Sequence, residues 1–225
     1  MLIKSVMTAL LCVGLGSTGG AQAASVSYFL NQSNKDAALA DGVNYLKVKI
    51  DNDVAGWVRF TVDVLSPLTS IAGSNFGIQD FGFNVIPGGV LPPDSAPNPS
   101  AWVLPTGWAS ITAPPPNTAD GFGMFDVQPS TTGSNRPTTL QFSFQSTNAL
   151  TSFLDLSNDS GTSGNAIQGN SYFAAHVAGF NASGGVTSGY FGATSLVPAP
   201  VPVPAALVLL ASALVPLVRM RSRKK

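Results

Sequence analysis

Two neighbouring segments of this sequence alternate strictly between apolar and polar residues. Apolar side chains occupy every second position in residues 46–50 and again in residues 58–64. A period of two places all of these side chains on one face of an extended strand, so each segment is predicted to be a β-strand with one buried face. The Asp- and Gly-containing segment 51–56 lies between them, which predicts an antiparallel hairpin.

The rest of the central region extends this β pattern. All eleven acidic residues are Asp, which favours turns, and there is no Glu, which favours helices. No segment there has a long helical apolar period. We therefore predict an all-β fold, an antiparallel β-sandwich of jelly-roll or immunoglobulin-like topology. Further strands are predicted around three apolar series: Phe81, Phe83 and Val85; Leu140, Phe142 and Phe144; and Phe173, Ala175 and Val177.

Residues 87–116 are rich in proline, and residues 157–170 are rich in Ser, Asn, Asp and Gly. Proline removes a backbone donor and is unsuited to a central strand. Both segments are predicted to be surface loops of one domain, residues 24–196.

The N-terminal residues 1–23 have the pattern of a cleaved secretory signal. Lys4 precedes an apolar run, residues 6–15, and Ala21 and Ala23 supply the small residues that signal peptidase requires. An uncleaved membrane helix is the alternative, but the run is about half the length needed to span a bilayer. Cys12, the only cysteine, lies in this run, so the mature chain is expected to have no disulfide or thiolate site.

The C-terminus has three parts: a proline-rich spacer at 197–204, an apolar segment at 205–218 and a basic tail at 219–225. The apolar segment is predicted to be a single transmembrane helix. Its fourteen residues rise only about 21 Å, and snorkelling side chains at its ends extend that reach. By the positive-inside rule, the basic tail is predicted to stay in the cytoplasm. The basic residues are Arg219, Arg221, Arg223, Lys224 and Lys225.

This tail resembles the PEP-CTERM sorting signal of Gram-negative bacteria, in the variant that reads Val-Pro-x-Pro-Ala-Ala before the hydrophobic helix. The matching residues are Val201, Pro202, Val203, Pro204, Ala205 and Ala206. The resemblance implies an inner-membrane precursor that exosortase processes near the proline motif, and a product that is secreted or on the cell surface, often beside exopolysaccharide and biofilm genes. An ordinary tail anchor is the alternative interpretation.

Charge argues against a nucleic-acid partner. Six of the eleven basic residues lie in the two terminal segments, which leaves five basic residues against eleven acidic ones between them. A surface for nucleic acid requires a basic patch to neutralise phosphates.

No catalytic motif is recognisable. The sequence has no nucleophile elbow, no phosphate-binding glycine loop and no pair of histidines for zinc. His176, the only histidine, falls on the strand face opposite Phe173, Ala175 and Val177 and is interpreted as an exposed or capped residue rather than a general base. Paired aspartates that hydrolyse glycosides remain conceivable, but nothing singles out a pair. We expect no enzymatic activity.

Calcium and glycans are the two candidate ligands. Asp51 and Asp53, with Asn158 or Asp159, are turn residues of the kind that bind calcium, although turn propensity accounts for them without a metal. Trp57, Trp102 and Trp108 are candidates for stacking on sugar rings, with Arg59 and Asp63 as hydroxyl partners; burial in the fold is the alternative role.

Together these features predict an exported, exosortase-processed protein of the cell surface or extracellular matrix, with a structural or adhesive role. The alternative is a carbohydrate-binding module for exopolysaccharide, and a hydrolase is third. No cofactor is expected, and calcium is the candidate metal.

Overall fold

The computed structural model describes residues 25–52, 54, 56–85, 102–145, 154–155 and 171–193. The predicted signal segment, proline spacer, transmembrane helix and basic tail lie outside the described residues. Within the described ranges, no helix has the length and apolar character needed to cross a membrane.

The described chain is almost entirely β-structure, as the sequence predicts. Its strands, in chain order, are β1 (Ser25–Leu30), β2 (Gln32–Ser33), β3 (Leu46–Asp51), β4 (Trp57–Val64), β5 (Ala72–Val85), β6 (Trp102–Val103), β7 (Trp108–Ala119), β8 (Gly123–Thr131), β9 (Thr139–Gln145), β10 (Leu154–Asp155), β11 (Phe173–Phe180) and β12 (Ser188–Gly192). A four-residue helix α1 (Ser66–Thr69) and a 3-10 turn at Ser183–Gly185 are the helical elements among these residues.

The strands form two antiparallel sheets. One has five strands in the order β1-β3-β4-β9-β6. The other has seven: β2-β12-β11-β5-β8-β7 form a continuous path, and β10 pairs with β5. The predicted β3–β4 hairpin is confirmed, with Leu46 opposite Val64 and Asp51 opposite Arg59. The three further predicted strands lie in β5, β9 and β11.

The main core is aromatic and draws on both sheets. Phe60 of β4 lies opposite Phe142 of β9, with ring centroids 4.9 Å apart. The Phe60 ring also contacts Phe83 of β5, in the other sheet, at 4.9 Å. Each buried phenylalanine contributes roughly 1.5–3 kcal/mol relative to an exposed one, so this cluster is a major source of stability.

The proline-rich segment is only partly a loop. Residues 102–103 form β6 and residues 108–116 belong to β7, so the prediction of a surface excursion was wrong for these parts. β7 is the last strand of its sheet, where one side of the backbone needs no partner, and proline is tolerated there. The three consecutive prolines fall where the β7–β8 register shifts, between Thr112 and Asn117.

A second, smaller apolar cluster lies on the other face of the seven-stranded sheet. Gly82, Ala174 and Gly192 sit side by side on β5, β11 and β12, and we call them the small-residue row. The rings of Phe122, in the β7–β8 turn, and Phe125, near the start of β8, occupy the space that larger side chains would fill there. The turn therefore packs back onto its own sheet.

Candidate functional site

Trp57 lies at the wall of a pocket of about 190 Å³ on the five-stranded sheet. Trp57 and Arg59 alternate along β4 with buried residues, so both face away from the main core, as the sequence predicts. Val103 lies on the rim and is 56% exposed. The complete lining is Asp51, Val54, Trp57, Arg59, Val103 and Ser143.

Asp51 brings a buried carboxylate to this pocket. Its side chain is only 2% exposed, and Lys49 Nζ lies 3.1 Å from Oδ2. Arg59 Nη1 lies 3.8 Å from Oδ1, which is buried without a hydrogen bond. The two cations offset the cost of burying the charge. The pocket thus combines an aromatic ring, a guanidinium and an acceptor oxygen.

The other two candidate tryptophans are buried and lie apart from Trp57. Trp102 is 8% exposed, and its ring centroid is 4.9 Å from that of Phe144 in the main core. Its indole nitrogen is buried and has no hydrogen-bond acceptor among the described residues. Trp108 is also 8% exposed and borders a separate pocket. Trp57 is therefore the candidate with the most accessible ring.

The calcium candidates are not assembled into a site in the part of the chain that the structure describes. Asp51 is paired with cations rather than with other acidic residues. Asp53, Asn158 and Asp159 lie outside the described residues. No group of three or more His, Cys, Asp or Glu residues suitable for holding a metal occurs within the described ranges.

His176 lies on the predicted face of β11 but has partners that the sequence does not reveal. Its Nδ1 is 3.4 Å from Asp80 Oδ2, and its ring stacks on Tyr190 at 4.6 Å. Asp80, His176 and Tyr190 are direct neighbours on β5, β11 and β12, and Gln128 Nε2 donates to Asp80 Oδ1 at 2.7 Å. The residues of this Asp80–His176–Tyr190 row thus hold one another in place across three strands.

The surroundings of Tyr190 in this row disfavour ionisation of its hydroxyl. Burial raises the pKa of its phenol well above the usual value, and the carboxylates of Asp80 and Asp120 raise it further. The hydroxyl therefore stays protonated at neutral pH and cannot serve as a phenolate nucleophile. The contacts described for His176 hold the ring in place and include no nucleophile for it to activate.

No protein-family model, curated protein or solved structure matches this chain.

Proposed function

We propose that this chain is an exported, exosortase-processed protein of the cell surface or extracellular matrix, with a structural or adhesive role and no enzymatic activity. The observation that carries the proposal is the tripartite C-terminus: prolines at 202 and 204, the apolar segment 205–218 and five basic residues in the last seven positions. These features occur in the order that a membrane-boundary processing signal requires.

The exported part is proposed to be a β-sandwich of jelly-roll or immunoglobulin-like topology. The aromatic contacts between Phe60 on one sheet and Phe81 and Phe83 on the other support this arrangement, because facing sheets share a core in a sandwich.

The proposed route has two cleavages. Signal peptidase removes residues 1–23 after Ala23, and the segment 205–218 then holds the precursor in the inner membrane. Exosortase recognises the proline motif and releases the folded part, so the product is secreted or on the cell surface of a Gram-negative bacterium.

Replacing Pro202 and Pro204 by Ala tests this route. The substitutions remove the two stiff prolines of the Val201–Ala206 motif itself, next to the apolar segment, so we expect the full-length precursor to accumulate in the inner membrane. For the unaltered chain, intact-mass measurement of the released protein should show an N-terminus near Ala24 and no basic tail.

A simple anchor gives the opposite result. Its apolar length and basic flank remain intact in the double variant, so its localisation would not change. Normal release of the Pro202→Ala, Pro204→Ala protein would contradict the proposed route. A Pro198→Ala, Pro200→Ala variant is the matched control, because it removes two prolines outside the Val201–Ala206 motif and should still be processed.

Glycan binding is a second candidate function, favoured by the pocket at Trp57. A sugar ring presents an apolar face and several hydroxyls, and the pocket supplies an indole ring, a guanidinium and a carboxylate oxygen. A carbohydrate-binding module for exopolysaccharide would use such a surface.

Trp57→Ala is expected to weaken binding of the host's purified exopolysaccharide by roughly tenfold, because it removes the stacking surface. Trp57→Phe keeps an aromatic face and should retain most of the affinity. Titration by calorimetry measures both. Equal affinity of the unaltered chain and Trp57→Ala would remove this candidate and leave the sorting proposal untouched.

A further inference from the structure

Arg136 carries a positive charge that the fold holds with neutral groups. It lies between β8 and β9 and is half-buried. Its Nη1 donates to the backbone oxygen of Asn75 at 3.2 Å, and its Nη2 donates to Gln79 Oε1 at 2.7 Å. Its Nε is buried, and the described part of the chain offers it no acceptor.

The described residues provide no carboxylate at ion-pair distance from Arg136. Lys49 and Arg59, by contrast, both lie within 4.0 Å of Asp51. Partly buried charges in proteins are normally paired, because neutral acceptors compensate the lost hydration only in part. An anion at Arg136 would therefore be favoured.

Arg136 is one of the residues that line a pocket of about 360 Å³. Ligand pockets start at about 300 Å³, so this pocket is large enough for a small group, whereas the pocket at Trp57 is smaller. Its walls mix apolar and hydrogen-bonding residues: Asn75, Phe76, Pro105, Thr106, Trp108, Ser134, Asn135, Arg136 and Pro137.

The backbone around the pocket is tightly fixed. Asn75 has a left-handed φ of 52°, and its side-chain amide donates to the backbone oxygen of Gly133. At Gly77, a Cβ would lie 2.5 Å from the backbone oxygen of Arg136, so only glycine allows β5 to approach so closely. Arg136 is therefore held in place before any ligand arrives, which lowers the cost of binding.

We propose that this pocket binds the carboxylate of an acidic polysaccharide. Each terminal nitrogen of a guanidinium has two N–H groups, and the fold uses one of each, so a second N–H on both remains for a carboxylate. Ser134 and Asn135, which are exposed, supply partners for hydroxyls, and Phe76 and the edge of Trp108 supply apolar contact. The proposed surface role is what brings the pocket into contact with such a polymer.

The test measures binding of alginate oligosaccharides, which are built of uronic acids, to the full 225-residue chain in detergent. We expect Arg136→Gln to weaken binding by roughly tenfold or more, since a charge-assisted pair is lost. Arg136→Lys keeps the positive charge but not the planar guanidinium fork, so its affinity should lie between those of the unaltered chain and Arg136→Gln.

Two further variants isolate the pocket from general charge effects. Ser134→Asp places a carboxylate on the exposed wall, where it repels an anionic ligand and competes with it for Arg136, so it should weaken binding as strongly as Arg136→Gln. Lys47→Gln removes one positive charge from the five-stranded sheet and should bind normally. The basic tail is the same in every protein compared.

Competition experiments with other ligands test whether the pocket recognises a sugar carboxylate or any small anion. Glucuronate should compete with alginate, whereas neutral dextran should not bind. Competition by inorganic phosphate as strong as that by glucuronate would overturn the assignment to a sugar carboxylate. Equal alginate binding by Arg136→Gln, with unchanged circular dichroism, would overturn the site itself. Either failure leaves the processing proposal intact, because release from the membrane is measured separately.

Discussion

Phe142→Asp is expected to prevent accumulation of the folded protein. Phe142 is 1% exposed, and its ring contacts Phe60 on the same sheet and Phe81 and Phe83 on the other. Losing a buried phenylalanine costs about 3–5 kcal/mol, and an unpaired buried carboxylate adds several more. Domains are stable by only about 5–15 kcal/mol, so the variant should be largely unfolded. Soluble yield and thermal unfolding measure the effect.

Gln141→Asp is the matched control for this substitution. Gln141 neighbours Phe142 on β9 but is exposed, so the same new charge should change the free energy of unfolding by only about 0.5 kcal/mol. A near-normal melting temperature of Phe142→Asp would mean that the side chain of Phe142 does not face the core.

Gly192→Val is expected to destabilise the protein through the small-residue row. A Cβ at this position would overlap the ring of Phe122 and lie 2.7 Å from Ser171 Oγ. Phe122 is fully buried and cannot swing into solvent without exposing its ring. Overpacking of this kind typically costs about 1–3 kcal/mol, and chemical denaturation of the full chain measures it.

A double-mutant cycle with Phe122→Ala provides the control. Phe122→Ala alone is destabilising because it leaves a cavity, but it also frees the space that valine needs. The double variant should therefore be more stable than the sum of the two single effects predicts. Strict additivity would show that the ring of Phe122 does not occupy the space above Gly192.

Local patterns predicted β3, β4, β5, β9 and β11, but they did not predict other strands such as β1, β8 and β12. The alternation along β3, β4 and β9 correctly predicts which apolar residues are buried, because strand facing depends on nearest neighbours in sequence. Proline is tolerated in β7 because this strand lies at the edge of its sheet. The edge position depends on the tertiary arrangement, so the proline content alone predicts a loop instead.

Among the candidate functional residues, too, some features follow from the local pattern and others depend on tertiary contacts. The alternation predicts that Trp57 faces away from the main core, but it also predicts an exposed Asp51, which is 1% exposed. Trp57 and Arg59 border the same pocket as Asp51, and that proximity is a property of the hairpin rather than of the pattern. Asp80 and Tyr190 join His176 only through strand pairing, so no local sequence signal identifies them.

The pairing of β4 with β9 has a kinetic consequence. It joins residues far apart in sequence, such as Asp63 and Thr139, which are separated by 76 positions. Closing so long a loop costs chain entropy before the paired strands gain any stability. β-proteins with such distant contacts therefore fold in milliseconds to seconds. For the exported precursor proposed above, the five-stranded sheet can be completed only after β9, the last of its strands in chain order, has emerged from a translocation channel.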